Sequence, residues 1–249
     1  LVSSTTKRRW KWLIPAIIVV AAIAVVTVII VQNSSGDAQE ADGAAGGAAV
    51  EQSDDQASAE EDSEADLTQL ETRDENDKTA MGDVDAPVGL VMFTDYQCPY
   101  CAQWTHDTFP KLKKYVDSGD LRVEWRDVNV FGPESERAAK AAYAAALQDD
   151  YYEYHQALFK DGDKRPKSQL SDDALIALAD DLGLDKEKFE KDFHSDKVEE
   201  EVKNIASFGQ SVGVTSTPAF IVGGETVVGA QPTHVFTDLV KKKLAEAKN

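Results

Sequence analysis

The chain has 249 residues, a formal net charge of −19 and two cysteines. So acidic a surface repels phosphate backbones, which argues against nucleic acid as a partner. Two cysteines are too few for a disulfide framework, so the pair reads as chemistry and not as a staple.

The amino end is basic. Residues 1–12 carry Lys7, Arg8, Arg9 and Lys11, and residues 13–31 form an uncharged apolar run interrupted only by Pro15 and Thr27. At 1.5 Å per residue the run reaches about 28 Å, close to the roughly 30 Å hydrocarbon core of a bilayer. Trp10 and Trp12 stand where indoles favour the headgroup level, with the bases on the same side. The expectation is a single transmembrane helix over 13–31, its amino end cytoplasmic and the rest of the chain outside. A cleaved signal peptide is the alternative, but its apolar region is shorter, about 7–15 residues, and no small-residue cleavage site follows directly. No cysteine follows the run to carry a lipid anchor.

Residues 32–79 hold fifteen Asp or Glu against Arg73 and Lys78 and no aromatic residue. Such a segment cannot repay the entropy of ordering, so a disordered, self-repelling acidic linker is expected there. A short helix around Leu67–Arg73 is compatible with the sequence but not required by it.

Residues 80–249 have the mixed apolar pattern and the length of one folded domain. Val88–Thr94 is an apolar run of strand length. A helix is expected from Cys98 to about Val116, with Pro99 at an early position where a missing N–H costs nothing. Gly119-Asp120 then turns the chain into a second strand, Leu121–Val128, giving a parallel β–α–β unit. From about 134 to 211 the pattern is helical: Glu134–Gln148, Tyr151–Phe159, Ser171–Leu182, Lys186–Phe193 and Lys197–Ser211. Short strands are expected at Val214, Ala219–Val222 and Thr226–Val228 around Gly223-Gly224. Pro232 opens a last amphipathic helix to about Ala247. The fold class is α/β, a small sheet built from both ends of the domain with a helical block inserted between them.

The two cysteines stand in Cys98-Pro99-Tyr100-Cys101, directly after a strand and opening a helix. At this spacing two sulfurs can reach disulfide distance. The first lies where unpaired N–H groups and the helix dipole favour thiolate over thiol. The expectation is an exposed, attackable Cys98 and a shielded, resolving Cys101. A zinc site would need about four ligands, and there is no second cysteine pair. His106, His155, His194 and His234 are scattered and read as surface or partly buried polar residues, so neither a metal nor another cofactor is expected.

The stretch Ala86-Pro87 through Phe93-Thr94-Asp95-Tyr96-Gln97-Cys98-Pro99-Tyr100-Cys101 resembles the opening of the DsbA-like thioredoxin-fold family. Val214-Thr215-Ser216-Thr217-Pro218-Ala219-Phe220 and Gly229-Ala230-Gln231-Pro232 resemble its closing signature, and the helical block resembles its inserted domain. The likeness spans about residues 80 to 247. It implies a thioredoxin-like fold, with Cys98 as the attacked sulfur, Cys101 as the resolving one and Pro99 and Tyr100 tuning the potential. It also implies a cis bond at Thr217-Pro218, with the Thr217 backbone pairing an extended substrate. Where such proteins often bury an acid six residues before the first cysteine, this chain has Met92; Asp95 is a candidate proton acceptor, though a turn or helix-entry role suits it better. Tyr100 stands where the best-known oxidant has His, and Pro-Tyr is also the glutaredoxin dipeptide. The activity implied is disulfide donation to exported proteins with free thiols, with reoxidation by a quinone-linked membrane partner. A reductase or isomerase using the same site is the nearest alternative, and a non-catalytic chaperone module for exported chains the next.

Overall fold

The computed structural model describes residues 67–248. The basic tail, the span expected at 13–31 and most of the acidic linker lie outside the described residues. Among the described residues no helix is long and apolar enough to cross a membrane.

A five-stranded sheet carries the domain. Its strands are β1 (Ala80–Met81), β2 (Val88–Thr94), β3 (Leu121–Asp127), β4 (Ala219–Val222) and β5 (Glu225–Val228), in the order β1-β3-β2-β4-β5. β2 runs parallel to β3, with Val88 opposite Leu121 and Thr94 opposite Asp127, and antiparallel to β4. All seven residues of β2 are buried, as expected of a continuous apolar run covered on both faces.

The β2–β3 crossover contains two helices, α1 (Pro99–Asp107) and α2 (Phe109–Asp117). The single helix expected from Cys98 to Val116 is broken at Thr108, because Pro110 lacks the N–H that would continue the ladder and its ring crowds the preceding turn. Between β3 and β4 lie α3 (Pro133–Ala146), α4 (Tyr151–Leu158), α5 (Asp172–Asp181), α6 (Lys186–Phe193) and α7 (Asp196–Ser211), and α8 (Thr233–Glu246) closes the chain. Seven alanines of α3 are buried, Ala138 to Ala146, and their small side chains let α4, α6 and α7 approach it from several sides.

The two sheet faces bury different cores. Leu90, Met92, Val123 and Trp125 point to α1, α2 and α8, where Trp104 meets Phe220 at 4.7 Å and Phe236 at 5.4 Å between ring centroids. Val91, Phe93, Val128 and Ile221 point to Phe208 and Val212 around the end of α7. Val214, expected as a strand, lies instead in the turn that ends α7, its N–H bonded to Gly209 O.

Residues 67–79 also depart from expectation: the end of the presumed linker is part of the folded domain. Leu67–Leu70 forms a turn of 3₁₀ helix, and the Thr72 and Arg73 N–H groups donate to Glu124 at 2.9 and 3.0 Å. Arg126 bonds Asp77 and Glu124, both at 2.7 Å. Asp77 pairs with Arg126, while Arg73 pairs with Glu71 and donates to the Val84 and Ala86 carbonyls, so part of the composition that reads as solvated coil is built into the fold. β1, missed from the sequence, follows it and pairs Ala80 with Glu124.

Candidate functional site

The central strand β2 delivers Asp95-Tyr96-Gln97 to the start of α1. Cys98 N–H closes this turn on Asp95 O at 3.0 Å, and Cys98 becomes the helix N-cap, its sulfur accepting from Cys101 N–H at 3.4 Å. Pro99 occupies the first helical turn, where its missing N–H leaves no bond unmade. Both thiols are free.

The loop before β4 crosses the same point. Its Thr217–Pro218 peptide is cis, and the Cys98 S–H donates to Thr217 O at 3.2 Å. The Cys98 pKa is drawn down to about 6, chiefly because the Cys101 thiol donates to its sulfur. Burial opposes this, while the Thr217 hydroxyl and the N–H groups of Cys101 and Tyr100 add to it. Cys101 is pushed well above the ordinary thiol value, first by burial and then by Cys98; the Thr94 hydroxyl and the Asp95 N–H recover only part. One sulfur is poised as thiolate and the other as thiol.

Cys98 is not exposed, as the sequence suggested, but covered: its exposure is 1 %. Capping draws its sulfur back toward the helix N–H groups, and Thr217 lies against it. Its surroundings are nevertheless partly polar and close to the surface, since Pro99 is exposed and Tyr100 is 62 % exposed. Those two side chains line one open cavity together with Gln103 and His106. Pro218 is buried in the loop.

Asp95 is brought to the site, but its carboxylate is committed elsewhere. It accepts from Gln97 N–H at 2.7 Å, Phe131 N–H at 3.1 Å and the Ser135 hydroxyl at 2.6 Å. Only its backbone N–H reaches Cys101. The carboxylate ties the turn before Cys98 to the start of α3, which is the turn role.

Beneath α1 lies a polar cluster that sequence reasoning missed. Tyr96 hydroxyl meets His155 Nδ1 at 2.9 Å, and His155 Nε2 faces the Thr105 hydroxyl at 3.4 Å. His155, expected to be surface or partly buried, has no exposure, and burial lowers its pKa to about 3. Asp127, at the end of β3, is 6 % exposed and its Oδ1 has no hydrogen-bond partner. Burial raises its pKa well above the carboxylate value and nearby Asp95 raises it further, against a partial pull from Arg126 and the Tyr96 hydroxyl. A signal for Asp127 was present in the strand period: Leu121, Val123 and Trp125 put it on the core face. Among the described residues no cluster of His, Cys, Asp and Glu could hold a metal ion.

A family model described as thioredoxin matches residues 74–242. The chain is 28 % identical over 150 residues to the probable disulfide bond formation protein D of Bacillus cereus, covering 58 % of this chain and 69 % of that protein. It is 34 % identical over 148 residues to the Na(+)/H(+) antiporter NhaA 1 of Mycobacterium sp., a match that spans only 23 % of that protein. Among solved structures it resembles oxidised BdbD from Bacillus subtilis, with a TM-score of 0.60 and 24 % identity, covering 67 % of this chain and 92 % of that one.

Proposed function

This chain belongs to the thioredoxin family as a DsbA-like thiol–disulfide oxidoreductase, and from that premise we propose that its Cys98–Cys101 pair donates disulfides to exported proteins with free thiols. The observation that carries the reading is the unequal acidity of the two sulfurs. A stabilised Cys98 thiolate is a good leaving group and favours the reduced form of the pair, and a protein whose reduced form is favoured is an oxidant.

A substrate thiolate attacks Cys98 of the oxidised pair, the Cys98–Cys101 bond breaks, and its electron pair leaves on Cys101, which takes a proton. A second substrate thiolate then attacks the substrate sulfur of the mixed disulfide and expels Cys98 as thiolate. The substrate gains a disulfide and the pair gains two electrons. Thr217, whose carbonyl lies against the Cys98 sulfur, is placed to pair with the backbone of an extended substrate segment. Residues 13–31 would hold the domain outside the cytoplasmic membrane, and a quinone-linked membrane partner would reoxidise it.

Equilibration with glutathione tests the direction. A Cys98 pKa of about 6 lies between those of thioredoxin, about 7, and DsbA, about 3.5. The expected potential is therefore about −230 to −180 mV, and a value at or below about −270 mV would make the protein a reductase. A Cys101→Ala variant should accumulate mixed disulfides on Cys98 with exported proteins in cells. If none form, while Cys98→Ser keeps full activity, the domain is a binding module instead.

A further inference from the structure

The exposed face of α1 begins beside the reactive cysteine. Tyr100, Gln103, His106 and Asp107 are all exposed and stand three and four residues apart, so they form one stripe along the helix. At 1.5 Å per residue the stripe is about 10 Å long. Next to it lies the 3₁₀ turn Lys160–Gly162 that follows α4. The turn comes this close because residue 162 has no side chain: a Cβ there would lie 3.1 Å from His106 Cγ. Stripe and turn enclose a cavity of about 540 Å³, a size suited to binding, and Pro99 and Tyr100, which follow Cys98, are part of its wall.

The wall carries charge of one sign. Asp107 and Asp161 line the cavity and no lysine or arginine does; Lys111 and Lys160 are exposed outside it. Asp107 Oδ1 lies 2.8 Å from His106 Nδ1, while Asp161 has no hydrogen-bond or ion-pair partner among the described residues. Tyr100 adds an aromatic ring at the cysteine end. A long cationic side chain fits such a lining, its stem on the ring and its head at the carboxylates. The reaction brings a substrate to this place, because it bonds the substrate sulfur to Cys98, the neighbour of Pro99. Along an extended segment side chains alternate, so the residue two positions from the substrate cysteine points to the same side, about 7 Å away. We propose that this cavity takes the side chain of a lysine or arginine at that position, with Asp107 and Asp161 as its counter-charges. The protein then prefers substrate thiols flanked by a basic residue.

The proposal rests on the reading that the Cys98–Cys101 pair exchanges disulfides, and the test separates the two. Dithiol peptides reduce the oxidised protein; they differ only in carrying Arg or Ala two positions before, or two positions after, the attacking cysteine. The readout is the ratio of the Arg to the Ala rate constant. The same ratio is measured for Asp107→Asn/Asp161→Asn. Asparagine keeps an acceptor for His106 and tolerates the left-handed backbone at residue 161, where φ is 60°, so the cavity keeps its shape. Arginine also acidifies a nearby peptide thiol, but that effect is the same for both proteins and cancels in the comparison. At one of the two positions the parent's ratio should exceed the variant's about fivefold, the scale of an exposed charge pair with an aromatic contact. Glu187→Gln/Glu190→Gln, at two exposed acids of α6 that line no part of the cavity, should keep the parent's ratio. Equal ratios in the parent and the Asp107/Asp161 variant overturn the assignment, and so does an equal loss in the α6 variant, which would trace the preference to net charge. If neither the peptides nor dithiothreitol reduce the parent, it is the oxidoreductase reading that fails.

Discussion

At Cys98 two opposing effects meet, and the magnitudes decide. Burial pushes the thiol up, yet the pKa falls to about 6, so the donors around the sulfur outweigh burial. Because the largest of them is the Cys101 thiol, Cys101→Ala should raise the Cys98 midpoint above 6, measured by the pH dependence of iodoacetamide alkylation. It should stay below the ordinary value of 9.0, since the Thr217 hydroxyl and two N–H groups remain. Thr217→Val should raise it by less than Cys101→Ala does. The reverse order would show that the loop, and not the second cysteine, sets the acidity. The sign for stability follows: a lowered thiol pKa stabilises the reduced fold above the unfolded value and loses that contribution as pH falls through about 6.

At the scale of elements, the placing of α7 against the sheet depends on a residue with no side chain. A Cβ at Gly209 would lie 2.3 Å from Val128 Cγ1, far inside contact distance, and 3.3 Å from Phe93 Cδ1, a tight contact. Gly209→Ala must push α7 off β2 and β3, and should lower the unfolding free energy by about 1–3 kcal/mol in urea titrations, the usual cost of overpacking. An unchanged midpoint would mean that the helix is not seated where the structure puts it. The elements themselves were largely legible: β2 from its apolar run, α6 from its period, and α5 from Ser171, which caps it by accepting from Ala174 N–H. The failures have physical causes. A proline at the second position of α2 breaks a helix whose apolar period runs on past it. β1, of two residues, is too short to show alternation. Residues 71–77 look solvated until Arg126 is known to meet Asp77 and Glu124 the Thr72 and Arg73 N–H groups. In the site, spacing brought Cys98 and Cys101 together, but that Thr217 covers Cys98 is a contact between residues 119 apart in sequence.

For the whole molecule, the polar cluster under α1 sets two opposite pH dependences. Unfolded, Asp127 ionises near 3.8 and His155 near 6.5. In the fold Asp127 keeps its proton well above 3.8, so its contribution is fully present below 3.8 and is lost as pH rises through its folded value. His155 stays neutral down to about 3, so its contribution is fully present above 6.5 and is lost as pH falls toward 3. Above about 4, and up to the lower of 6.5 and the folded value of Asp127, the two slopes, each up to ~1.4 kcal/mol per pH unit, oppose each other. Asp127→Asn removes one of them. The variant should be more stable than the parent at pH 7, because the parent there carries the cost of an acid whose ionisation the fold opposes. That advantage should shrink by up to ~1.4 kcal/mol per pH unit as pH is lowered toward 4. Urea unfolding of both reduced proteins from pH 7 to 4 checks this. A variant less stable than the parent at pH 7, or an advantage that does not vary with pH, would mean that Asp127 is ionised in the fold.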